Sequence, residues 1–130
     1  MTFETRTISL SIERDCREVY AFAAVPDNFR HWASGLGSLR REAGQWIADT
    51  PDGPLRVRFT PSNDFGILDH HVIPASGDEI YIALRVIANG AGSEIVFTLF
   101  RQPGMSDEKF AADANWVRRD LEALKRLLEG

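Results

Sequence analysis

The chain has 130 residues, 44% of them hydrophobic and 26% charged, with a net charge of −4, which suits one domain, 1–130, with a real core. An isoelectric point near 5.3 excludes the basic face that nucleic-acid binding normally needs, so no nucleic-acid partner is expected. No apolar run reaches signal-peptide or membrane-span length, and Cys16 is the only cysteine, so no intrachain disulfide can form and a cytoplasmic location is expected.

Thr5 to Glu13 alternates, with Ile8, Leu10 and Ile12 on one face and Thr7, Ser9 and Ser11 on the other, the pattern of a half-buried strand. Asp15 followed by Glu18 is a capping-box pattern that opens a short helix through Ala24. Pro26 interrupts it, and Asp27 to Ala33 fits a second short helix carrying Phe29 and Trp32, ended by Ser34-Gly35. Six strand-like segments follow, at 38–43, 45–50, 55–60, 67–75, 79–88 and 93–101, separated by turn signals such as Pro51-Asp52-Gly53-Pro54 and Asn89-Gly90-Ala91-Gly92. Short hairpin connections between seven strands predict an antiparallel sheet. Ser106 to Glu129 then reads as one long amphipathic helix. Phe110, Ala114, Val117, Leu121, Leu124 and Leu128 form its stripe, Ser106 its cap, and Asp107 and Glu108 suit the positive end of its dipole. At roughly 1.5–3 kcal/mol for each apolar side chain fully buried, that stripe needs a large surface to lie on.

The apolar faces also predict a register. A six-residue loop at 61–66 would pair Phe59 with Leu68 and Arg58 with Asp69; a three-residue turn at 76–78 would pair His70 with Leu84 and Asp69 with Arg85. Asp69 then sits between Arg58 and Arg85 in an exposed charge ladder, with Arg56 opposite His71. The surface for the helix is the set of faces bearing Leu55, His70, Leu84 and Phe97, and small Ala114 would leave the most room opposite them.

The order strand, two short helices, six strands, long terminal helix resembles the START-like helix-grip superfamily (SRPBCC), which includes polyketide cyclase/dehydratase-like proteins, lipid-transfer domains and the birch-pollen allergen. The residues that carry the resemblance are ISLSIERDCREVYAFAAVPDNFRHWASG, the FGILDHHV strand, and RVIANGAGSEIVFTLFRQPGMSDEKF running into the last helix. The resemblance implies an α+β helix-grip fold, a curved seven-stranded antiparallel sheet around the helix, with an apolar cavity between them. Three functions are then open: a carrier of a small hydrophobic ligand, a cyclase/dehydratase-like enzyme, or a protein-interaction module with a filled core. Fold alone does not choose among them.

His70 is the polar residue of interest, because its face-mates Leu68 and Val72 point toward the helix. It could serve as acid or base, bind a ligand, or be a neutral core histidine satisfied by one buried partner. His71 points to the opposite face, as does Asp69, so neither a two-histidine metal site nor an Asp–His dyad is expected, and no metal or cofactor is implied. Trp32, Trp46, Phe59, Leu84, Phe97, Phe110, Ala114 and Val117 complete the candidate ligand-binding set with His70. Trp116 lies beside the stripe, where it could cover a cavity edge. One of Arg40 and Arg41 must face inward, and Ser34 to Gly37 could flex as a gate. The expected partner is a small hydrophobic molecule, and the protein is expected as a monomer or homodimer.

Overall fold

A computed structural model describes residues 1–130. Strand β1 (Thr5–Ile12) leads into helix α1 (Cys16–Ala23) and two short 3-10 turns (Pro26–His31 and Ser34–Leu36). Six strands follow: β2 (Leu39–Glu42), β3 (Gln45–Thr50), β4 (Gly53–Phe59), β5 (His70–Ile73), β6 (Ile80–Asn89) and β7 (Gly92–Phe100). Helix α2 (Asp107–Glu129) ends the chain. The strands form one curved antiparallel sheet in the order β1-β7-β6-β5-β4-β3-β2, with α2 packed across its inner face. This is the helix-grip architecture. No helix is long and apolar enough to cross a membrane.

Local chemistry accounts for most boundaries. The Asp15 side chain accepts from Arg17 N–H at 2.8 Å and caps α1, but the capping box is only half made: Glu18 pairs with Arg14 at 2.7 Å. Ser106 caps α2 by accepting from Lys109 N–H. Ala43 and Gly44, both at positive φ, make the two-residue hairpin between β2 and β3. The second short helix expected over 27–33 forms as a 3-10 helix over Pro26–His31, followed by a 3-10 turn at Ser34–Leu36, and it brings Phe29 and Trp32 to the inner face.

The central register differs from the sequence reading by two residues on each side of β5. Phe59 pairs with His70 rather than Leu68, and His70 with Ile82 rather than Leu84. Proline explains one slip: Pro74 cannot donate to a ladder, so β5 stops at Ile73 and a turn closed by Gly77 N–H on Pro74 O begins there. The other slip comes from a longer loop. Thr60 closes it by donating both its N–H and its hydroxyl to Asp69 O, and Asn63 braces it internally through four side-chain hydrogen bonds. Because a shift of two residues keeps parity, every side chain stays on its expected face. The charge ladder, however, does not form as read. Arg58 lies opposite His71 and binds both carboxylate oxygens of Glu79 at 3.1 Å, while Arg56 lies opposite Ile73.

Gly66 is a glycine the fold requires. Its φ is +71°, and a Cβ there would fall 2.1 Å from Val86 O, so only glycine lets this loop lie against β6.

The dense part of the core lies under α1 and the C-terminal half of α2. Ile8, Ile12, Val19, Ala23, Val86, Ile95, Leu121, Leu124 and Leu128 pack there, each nearly solvent-free. Polar clasps pin this corner: Lys125 Nζ donates to Ser11 O at 2.7 Å, Glu13 N–H to the Glu129 carboxylate at 2.8 Å, and the Arg14 guanidinium to Leu128 O.

Candidate functional site

One α-helix about 10 Å across cannot cover seven strands spaced roughly 4.8 Å apart. Helix α2 lies mainly along β1 and touches β7 only at its margin. The inner faces of β4 and β5 are therefore left to the 3-10 segments, α1 lies against part of β6, and the cover is incomplete. A cavity of about 260 Å³ remains. Phe29, Trp32, Ala33, Gly35 and Leu36 form its roof. Leu55, His70, Val72, Ile82, Leu84, Phe97 and Leu99 form its floor, and Asp113, Trp116, Val117, Asp120 and Leu121 of α2 its side.

The candidate residues divide between the cavity wall and its surroundings. Trp32, His70, Leu84, Phe97 and Val117 lie on the wall. Phe59, Trp46, Phe110 and Ala114 do not. Phe59 packs on the Phe29 and His70 rings, at 5.3 and 5.5 Å between centroids, and fills the space behind them. Trp46 stands beyond it, 6.4 Å from Phe59, in a separate surface groove with Arg56 and Arg58. Phe110 is sealed at the opposite end, with the Arg6 and Arg101 guanidinium groups 4.8 and 5.6 Å from its ring. Ala114 is buried against the sheet, and the void opens about one turn further along α2, at Val117, the one residue of the helix stripe that is only half-buried. Between Arg40 and Arg41, it is Arg41 that shares the inner face, opposite Trp46; Arg40 binds Asp49 and Glu42 on the outer side.

His70 is held by an unusual break in the β5–β6 pairing. Leu68 N–H donates to Leu84 O at 2.8 Å, but the return bond, Leu84 N–H to Leu68 O, is missing. The Asp69 carboxylate accepts from Leu84 N–H instead, at 2.9 Å, and Leu68 O is left to His70 Nδ1 at 3.1 Å. A carbonyl only accepts, so Nδ1 carries the proton. Burial lowers the His70 pKa, with the Leu68 bond opposing it, so the ring is neutral at pH 7 and Nε2 has a bare lone pair. Nε2 has no partner within the protein, although it is not one of the sealed polar atoms. His70 is only 5% exposed, and the cavity is the open space beside it.

Asp69 lies on the outer face, as alternation requires, but it is 8% exposed rather than a surface ion. Burial alone would raise its pKa; Arg85, the Tyr81 hydroxyl and Leu84 N–H together hold it below the usual carboxylate range. Arg85 donates at 2.9 Å and Tyr81 at 2.6 Å. Tyr81 also lies between the rings of His71 and Phe100, at 5.3 and 5.7 Å. His71 thus faces away from His70, and no group of three or more His, Cys, Asp or Glu side chains is arranged to hold a metal.

The cavity mouth has its own polar set, in which the sequence pointed to Trp116 and Ser34 but not to Asp113 or Asp120. Trp116 is 47% exposed; its indole N–H donates to Ser34 Oγ, which in turn donates to Asp120 at 2.7 Å. Burial pushes the Asp120 carboxyl above its usual range, opposed by Ser34. Asp113 pairs with Lys109 at 2.6 Å. Acidic residues beside an apolar stripe look in sequence like any solvated helix flank, so nothing marked these two. Trp32 Nε1 is enclosed without a partner, as is Ser93 Oγ.

No family model and no curated protein sequence matches the chain. Solved structures with the same fold do. XoxI from Bacillus cereus is similar over 95% of this chain and 94% of its own, with a TM-score of 0.74 and 16% identity. The Aha1 dimer from Colwellia psychrerythraea is similar over 97% and 96%, with a TM-score of 0.73 and 14% identity. Ara h 8.0201 is similar over 96% and 97%, with a TM-score of 0.62 and 12% identity. At these identities the likeness is one of fold.

Proposed function

We propose that the protein binds a small apolar molecule in the space between β4–β7 and α2. The observation that carries this reading is the cavity itself: thirteen of its seventeen lining residues are hydrophobic, and it is not filled by the core. Its volume of about 260 Å³ lies just under the roughly 300–1,000 Å³ typical of small-molecule sites. Benzene occupies a cavity of roughly 150 Å³, so a two-ring molecule is the right scale. An enzyme using His70 as a base is the second reading, favoured by the bare Nε2 beside open space.

Saturation-transfer NMR with naphthalene, alongside native mass spectrometry of the freshly purified protein, tests the binding reading. Naphthalene should bind the native protein, and Val117→Trp, which places an indole in the void, should abolish the signal while the variant still melts cooperatively. Absence of naphthalene binding to the native protein, together with no co-purifying molecule, would sink the reading, as would equal binding by Val117→Trp.

A further inference from the structure

The polarity of the cavity wall narrows the ligand, on the premise that the cavity is a binding site. The wall carries no lysine or arginine. Its side-chain donors are already spent or closed off: Trp116 N–H on Ser34, His70 Nδ1–H on Leu68 O, and Trp32 N–H in an enclosed position. What the wall offers is acceptors. His70 Nε2 holds an unused lone pair on the floor, and the Asp113 and Asp120 carboxyl groups stand on α2.

From this one-sided set we infer that the cavity selects an uncharged, largely aromatic alcohol or phenol, whose O–H donates to His70 Nε2, and discriminates against carboxylates. A ligand carboxylate has only acceptors and would meet no side-chain donor and two carboxyl groups. A bare hydrocarbon would fit but leave Nε2 without a bond. An O–H satisfies an acceptor on the cavity wall that the protein itself leaves unpaired. The Asp69 substitution in the β5–β6 ladder is what makes this selection possible. By taking Leu84 N–H, Asp69 frees Leu68 O to hold the proton on Nδ1 and keep Nε2 bare. Asp69 is therefore a positioning residue for a group on the other side of the sheet.

Three probes of one size separate the cases at neutral pH: naphthalene, 2-naphthol and 2-naphthoate, titrated by NMR. 2-Naphthol should bind about tenfold more tightly than naphthalene, the worth of one buried hydrogen bond, and 2-naphthoate more weakly than either. His70→Phe should bring 2-naphthol and naphthalene within about twofold of each other. In protein carrying ¹⁵N-labelled histidine, the His70 Nε2 resonance should move upfield with 2-naphthol and stay in place with naphthalene, a readout that needs no variant to fold. Equal binding of 2-naphthol and naphthalene, or tightest binding of 2-naphthoate, would overturn the inference while leaving an apolar site standing. Failure of all three probes to bind protein that carries no co-purified molecule would overturn both the inference and the binding reading beneath it.

Discussion

Helix α2 covers two unlike territories. Toward β1 and α1 it meets Ile8, Ile12, Val19 and Ile95 with Leu124 and Leu128, all buried, and buried Leu121 borders both territories. Toward β4–β6 it presents Val117 and Trp116 to a floor of His70, Ile82, Leu84 and Phe97, and leaves a void. The same sheet supplies both floors with the same inside-outside alternation. The difference lies in where one rod can lie on a seven-stranded surface, and it predicts that stability and ligand binding are separable. The dense territory holds the fold together; the hollow one can be altered at lower cost.

The largest expected effect tests that division. Leu124→Ala, in the dense half, should destabilise by about 3 kcal/mol, the transfer free energy plus the cavity left behind. Leu99→Ala, at a half-buried position on the cavity wall, should cost about 1 kcal/mol, because one side of Leu99 already lacks partner atoms to lose. Urea denaturation of both variants checks the pair. Equal costs would mean that the two territories are energetically one core.

The hollow half is held from behind. Its outer face carries the Asp69–Tyr81–Arg85 network, the His71–Tyr81–Phe100 stack and the Arg58–Glu79 pair. Asp69→Ala removes acceptors from Arg85, Tyr81 and Leu84 N–H, and should cost about 2 kcal/mol. Asp69 has a folded pKa below its unfolded value. Its contribution is therefore complete above roughly pH 4 and is lost as the pH falls through the folded pKa. The variant should also accelerate amide exchange at Leu84 and Leu68 while leaving Ile8 and Leu10 in β1 protected. Uniform acceleration along the sheet would show that Asp69 braces the whole molecule and not the hollow half.

How much of this was legible in sequence follows from the physics of each element. The stripe of α2 is a local periodicity, and Phe110, Ala114, Leu121, Leu124 and Leu128 are indeed buried. Strand faces depend only on parity, which the two-residue slips at Pro74 and Thr60 do not disturb. The pairing partners depend on loop length, and there the reading failed: Pro74 ends a strand that hydropathy alone would continue, and the longer loop closed by Thr60 sets Arg58 opposite His71 instead of Asp69. The cavity's location depends on the lateral position of α2, set by contacts such as Lys125 with Ser11 and Glu129 with Glu13, more than a hundred residues apart. That is why Phe110 and Ala114 lie outside the wall while Phe29, Leu36, Ile82 and Asp120 lie on it. The role of Asp69 was hidden for another reason: a side chain replacing a backbone acceptor leaves no periodic trace.

The smallest expected effect concerns proton linkage at His70, where the hollow half meets solvent chemistry. Burial depresses the folded pKa of His70, so the unfolded chain binds a proton there that the folded one resists. Stability from this residue is fully present above the unfolded value, about 6.5, and falls as the pH drops from there through the folded pKa. The slope it can add is at most about 1.4 kcal/mol per pH unit, that of one proton. The chain has two other histidines, so the informative quantity is the difference between the native protein and His70→Phe. Denaturant midpoints at several pH values between 7 and 5 should show the native protein losing stability relative to the variant as the pH falls. A constant difference across that range would mean that the cavity lets water reach and solvate the imidazolium, making the hollow territory wet. A growing difference that persists to lower pH when 2-naphthol is present would mark it as dry and occupied through Nε2, since a ligand that needs the bare lone pair opposes protonation there and lowers the folded pKa further.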